Sequence, residues 1–123
     1  MEIIKQYPQD LSNRQAYKMM KSPEVKKMSD ADGSVLEVAA WVKYTDVDQK
    51  TGEVKEILTL ETVDGEMFGT VSNTFQREFN DIVEFFGEDV GSIKVTSGTS
   101  KAGRNFITCT TTAYYEIKRH LIR

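Results

Sequence analysis

The chain has 123 residues, a net charge of -3, one cysteine and one histidine. That length suits a single domain that buries about two-thirds of its unfolded surface without cross-links, and one cysteine with one histidine excludes an internal disulfide or a His/Cys zinc cage within the chain. The longest apolar run, residues 38–42, is far below the roughly 20 residues of a spanning helix, and the N-terminus lacks a signal-peptide pattern, so a soluble cytoplasmic protein is expected.

Residues 10–28 read as two short helices. Ser12 followed by Gln15 is a capping box, and Ser22-Pro23 sets a cap before a proline at the first helical position. Tyr17, Met20, Val25 and Met28 form an apolar side with Lys18, Lys21, Lys26 and Lys27 around it. The polar breaker at residues 29–34 closes an N-terminal helical extension, residues 1–33. From Val35 the period drops to two: Leu36, Val38, Ala40 and Val42 alternate with Glu37, Ala39, Trp41 and Lys43, which predicts a half-buried strand over 35–47.

Residues 48–52 are a turn, and a second strand follows over 53–63 with Leu58 and Leu60 inward. Asp64-Gly65 is a hairpin signal that returns the chain as a third strand, 66–72. Phe75, Phe79, Ile82, Val83 and Phe86 then recur at helical spacing up to Gly87, a helix that plugs the core. Strands over 92–97, with Ile93 and Val95 inward, and over 104–113 complete the order, and the tail 114–123 reads as helical. The fold class is therefore mainly β: an OB-fold over residues 34–113, a five-stranded antiparallel Greek-key barrel of order β-β-β-α-β-β, between the helical extension and a basic tail.

Charge is unevenly distributed. Residues 1–29 carry six basic and three acidic groups, residues 30–91 four and fifteen, and residues 92–123 six and one. A molecule so divided can offer a positive face to a polyanion although its total is negative. The segment GTSKAGRN, residues 98–105, has the glycine spacing of a phosphate-binding loop, yet Arg104 and Asn105 replace its Lys and Ser/Thr, and a strand rather than a helix follows. Asp46 and Asp48 begin like a calcium loop, but Lys50 stands at the next ligand position. His120 has no nucleophile motif around it, and neither catalysis nor a cofactor is expected.

Barrels of this type hold single strands with cations along the backbone and aromatic faces under the bases. Lys94, Lys101 and Arg104 occupy a stretch without acids from residue 90 to 115, and Lys50 and Lys55 flank the first turn. Alternation puts Trp41 and Lys43 on the outer face, where the indole is either a stacking platform or packed under the N-terminal helices. Phe106, in antiphase with Ile107 and Cys109, is read as a platform; Phe68 is either platform or core, and Tyr44 lies where inner and outer faces blur.

The stretches Glu37-Val38…Tyr44-Thr45-Asp46-Val47, Thr59-Leu60…Gly65…Gly69-Thr70-Val71-Ser72, Phe86-Gly87-Glu88-Asp89…Ile93-Lys94 and Lys101-Ala102-Gly103-Arg104-Asn105-Phe106 resemble the single-stranded-DNA-binding proteins of small protein-primed phages, with related OB-fold proteins on conjugative plasmids of Gram-positive bacteria. The resemblance covers about residues 35–112. It implies cooperative, largely sequence-independent coating of displaced strands without cofactor or catalysis, and it carries over Tyr44, Lys101, Arg104 and Phe106 by position; Trp41 rests on the face argument alone. Unlike housekeeping bacterial binders with their acidic tip, this chain ends basic and apolar, so its ends are read as serving self-association or further strand contacts. Single-stranded DNA is thus the expected partner, with no membrane. Duplex DNA, RNA or an acidic protein docked on an assembly module are the alternatives.

Overall fold

A computed structural model describes residues 1–112; Ala113, the tail 114–123 and with it His120 lie outside the described residues. In chain order the described elements are β1 (Glu2–Tyr7), α1 (Asn13–Lys21), β2 (Lys26–Lys27), a 3-10 turn (Met28–Ala31), β3 (Val35–Val47), β4 (Val54–Thr62), β5 (Met67–Thr70), α2 (Asn73–Phe86), β6 (Ser92–Thr99) and β7 (Asn105–Thr111). From β3 onward this is the order that the periodicity predicts. Local chemistry sets the boundaries: Ser72 Oγ accepts from Phe75 N at 3.2 Å to start α2, and Gly87, at φ 88°, ends it in a conformation that costs glycine little.

The first third departs from expectation. Ser12 does cap α1, accepting from Gln15 N at 3.1 Å, but the Gln15 amide reaches Glu61 instead of closing the capping box. Ala16 and Met19 form the buried side of α1, and Tyr17, expected there, faces solvent. No second α-helix opens at Ser22-Pro23. Ser22 Oγ accepts from Glu24 N in a local turn, and the chain extends into β2, which pairs in parallel with β5 (Lys26↔Phe68, Lys27↔Gly69).

Residues 1–33, expected to be a helical extension, also include a strand. β1 runs antiparallel to β3, with Ile3 opposite Tyr44 and Tyr7 opposite Trp41. On that edge of β3, β6 covers only Val35, Leu36 and Glu37, so the backbone groups farther along require another partner, which β1 supplies.

The strand order is β2-β5-β4-β3-β6-β7, with β1 added on β3. β3 is the pivot: β4 holds one edge while β6 and then β1 share the other, so the sheet curls into a half-barrel. In place of a closed five-stranded barrel, the described residues form seven strands, and among them β5 gives its outer edge to β2 with no ladder to β7. Among the described residues the fold is mainly β with two α-helices, an OB-like arrangement.

Both faces of the β3–β4–β5 meander are buried. On the inside, Leu36, Val38, Leu58 and Leu60 pack with Phe75, Phe79 and Ile82 of α2 and with Ile93, Val95 and Cys109. On the outside, Ala40, Val42, Tyr44 and Met67 pack against Ala16 and Met19 of α1. An irregularity of β-bulge type between Val38 and Ala40 separates the two sets, since one extra residue reverses which face each later side chain takes.

Candidate nucleic-acid interface

That phase reversal decides the fate of Trp41. Beyond the bulge it joins Leu36 and Val38 on the inside, leaving the indole 2 % exposed, edge-on to Phe79 at 5.4 Å, with Nε1 donating to Glu88 O at 2.8 Å. Of the two readings open to Trp41, the exposed stacking platform is overturned, and the ring that was otherwise to pack under the N-terminal helices is a satisfied core residue in the cluster of α2, separate from that of α1. Ala40 and Val42, expected inward, are outward instead, hidden from water by α1.

Tyr44 shares their fate. It is buried beneath α1, its hydroxyl donating to Met20 O at 3.3 Å, and burial raises its pKa above the ordinary value. Phe68, of the two readings open to it, is core, with Lys26 Nζ 5.7 Å from its ring centroid. These three aromatic side chains do not present faces to a ligand.

The cations divide into paired and unpaired. Lys43, its side chain only 17 % exposed, lies 3.9 Å from Glu56, and Lys55 lies 3.7 Å from Asp48. Asp48 is locked into the β3–β4 turn because its Oδ1 accepts from Lys50 N at 2.8 Å and Thr51 N at 3.3 Å; these amides, with Lys55 adding to them, hold its carboxyl below the ordinary pKa. Lys50, Lys94, Lys101 and Arg104 have no ion pair among the described residues.

Three of those four share the β6–β7 hairpin. Its loop is held by Ser100 N donating to Arg104 O at 2.8 Å, Gly103 N to Ser100 O at 2.9 Å and Arg104 N to Ser100 Oγ at 3.2 Å. These amides are spent within the turn, so the loop cannot cradle a phosphate as a P-loop does, and strand β7 follows it instead of a helix. What it offers is side-chain charge, with Lys101 and Arg104 both exposed.

Register aligns an outward row on the hairpin: Lys94 opposite Thr110, Thr96 opposite Thr108, Gly98 opposite Phe106. The Phe106 ring lies across Gly98 so closely that a β-carbon there would sit 2.7 Å from Cζ. At 36 % exposure it is the aromatic face this hairpin leaves open to a base.

Alongside the hairpin runs a groove made of two adjoining depressions of about 360 and 470 Å³ that share Ser29 and Ile107. The first is mostly apolar and lies between Ile57, Gly69 and Val71 and the cation Lys27; the second is bounded by Asp32, Ser97, Asn105 and Phe106. It occupies the place where β5 and β7 approach without pairing. Lys27 is not a site candidate in the sequence, because only the β2–β5 pairing and the 3-10 turn bring residues 26–32 to the hairpin. Asp32 is the opposing feature: it accepts from Ser97 Oγ at 2.7 Å and puts a carboxylate in the wall of an otherwise basic hairpin. Among the described residues, no group of three His, Cys, Asp or Glu side chains is placed to hold a metal ion.

The profile of the phage single-stranded DNA-binding protein family matches residues 11–111, from two residues before α1 to the last residue of β7. The chain belongs to that family. Single-stranded DNA-binding proteins of Bacillus phage PZA and Bacillus phage phi29 are each 28 % identical to this family member over 80 residues, 61 % of this chain. The match spans 64 % of each relative's length. No solved structure matches the chain. No helix among the described residues is long and apolar enough to cross a membrane.

Proposed function

We propose that this chain is a non-enzymatic, largely sequence-independent single-stranded-DNA-binding protein that coats displaced strands during phage replication in the host cytoplasm. The observation that carries the reading is the family match, which takes in every element of the groove and the β6–β7 hairpin. The strand runs along the groove past Lys27 to the hairpin, where Lys101, Arg104 and Lys94 neutralise phosphates and the Phe106 ring stacks on a base. As a scaffold we infer an OB-type Greek-key barrel, β3–β4–β5–α2–β6–β7, widened by β1 and β2. An unpaired seam between β5 and β7 suits this use, because it leaves an opening where a closed barrel would have a ladder.

Fluorescence anisotropy with labelled oligo-dT at several salt concentrations tests this. Affinity should fall with salt at a log-log slope of about -0.7 per phosphate neutralised. Lys101→Glu with Arg104→Glu should weaken binding by two orders of magnitude or more without changing the thermal midpoint. Equal affinity for duplex DNA or for RNA of the same length, or indifference to the double variant, would refute the reading.

A further inference from the structure

In OB-type barrels the second and third strands of the meander provide the wall on which oligonucleotides lie. Here the outer side of the meander is roofed: Ala40, Val42 and Tyr44 of the first strand, β3, and Met67 at the start of the third, β5, are buried under α1, with Ile57 of the second, β4, packed against them. A strand crossing this side of the molecule meets α1 and not the sheet.

The outer surface of α1 has an unusual make-up. Arg14, Tyr17, Lys18 and Lys21 are all exposed and fall at i, i+3, i+4 and i+7, on one side of the helix opposite Ala16 and Met19. No acidic residue occurs in the helix, and none of its three cations is in an ion pair among the described residues. Lys18 and Lys21 stand in the last turn, where the helix dipole favours them, but Arg14 stands in the first turn, where the dipole opposes it. Helix stability therefore does not account for the whole stripe. Nor does packing account for Tyr17, which is 64 % exposed.

The stripe also leads somewhere. Gln15 near the start of α1 bonds Glu61, which pairs with Ala40, whereas Met20 near its end accepts from Tyr44, which pairs with Ile57. The helix thus runs along β3 and β4 towards Ile57, the residue that opens the groove, and Lys27 follows six residues after Lys21 on the groove's rim.

We propose that the outer stripe of α1 is a second contact surface for the same DNA strand: Arg14, Lys18 and Lys21 neutralise phosphates, and the Tyr17 ring stacks on a base, replacing the sheet wall that the helix covers. This rests on the single-strand reading above. The occupant follows from charge complementarity and from continuity with the groove.

The test compares the full chain with Arg14→Gln/Lys18→Gln/Lys21→Gln, with Tyr17→Ala and with Tyr17→Trp, all at exposed positions and each checked for an unchanged melting profile. Against oligo-dT the triple variant should flatten the log-log salt slope by about 2, three phosphates at roughly 0.7 each. Tyr17→Ala should lower affinity roughly 5- to 160-fold, the range of one lost base stack. Tyr17→Trp should add an emission that oligo-dT quenches. If wild-type protein binds oligo-dT, Lys101→Glu/Arg104→Glu weakens binding as expected above, and the α1 variants retain both slope and affinity, this inference alone falls. It falls equally if they change only sedimentation, which would make the stripe a contact between protein copies. A wild-type chain that ignores oligo-dT overturns the function itself.

Discussion

Trp41 shows how one side chain's surroundings outrank its strand parity. Its ring fills the interior against Phe79, and its one polar atom is satisfied by Glu88 O. Trp41→Ala should cost about 3–5 kcal/mol in denaturant melts, in line with truncation of a buried aromatic ring. The native emission should be that of a dry indole, barely altered by saturating oligo-dT; strong quenching would mean that the ring is reachable. Cys109 is buried in the same core, and burial, with Glu78 adding a smaller effect, pushes its thiol up to about 12. The folded chain therefore holds this proton more tightly than the unfolded chain. Its stability contribution is complete below the ordinary thiol value, at about pH 8.5, and declines as pH rises from there towards 12. Iodoacetamide should label Cys109 at pH 8 only in denaturant, and rapid labelling of native protein would contradict the burial.

At the scale of elements, the β6–β7 hairpin separates stability from function. Gly98 has no side chain, so the Phe106 ring rests over the backbone at contact distance and stays flat and accessible. Gly98→Ala introduces a β-carbon 2.7 Å from the far end of that ring, and the exposed ring, not the ladder, is what gives way. The melting midpoint should move little, whereas affinity for oligo-dT should fall several-fold, approaching the loss expected of Phe106→Ala. A variant that binds normally would show that the ring's pose over Gly98 is irrelevant to the strand. The β3–β4 turn is a quieter element: Asp48 uses its charge on the backbone and on Lys55, which leaves Lys50 as its unpaired cation among the described residues.

For the whole molecule, what counts is where the acids go. Residues 30–91 hold fifteen of them, and several, such as Glu78, Asp81 and Glu84, ride on α2, whose opposite face plugs the core. The basic residues of the proposed path come from α1, β2 and the β6–β7 hairpin, elements that carry no acidic residue of their own even though the chain as a whole is anionic. Asp32 is the exception on the groove wall. Asp32→Asn keeps an acceptor for Ser97 Oγ and removes a charge that repels phosphate, so affinity for oligo-dT should rise about two- to fivefold at low salt, the effect of up to roughly 1 kcal/mol between charges in a watery setting, and the gain should vanish at high salt. Weaker binding by this variant would mean that Asp32 orders the groove rather than opposes the strand.

The order of strands and helix from Val35 to Thr111 was legible in the residues alone, because alternation, Asp64-Gly65, Ser72 and Gly87 act within a few positions of where they stand. So were the cationic hairpin loop and the ring at Phe106, which local phase places outside. Three things waited for the tertiary structure: the bulge that turned Trp41 inward, the strand β1 recruited by a vacant edge of β3, and the helix α1 laid over Tyr44. Each depends on pairing or packing between segments distant in the chain. A two-residue period carries no record of a bulge, and no local pattern says which face a distant helix will cover.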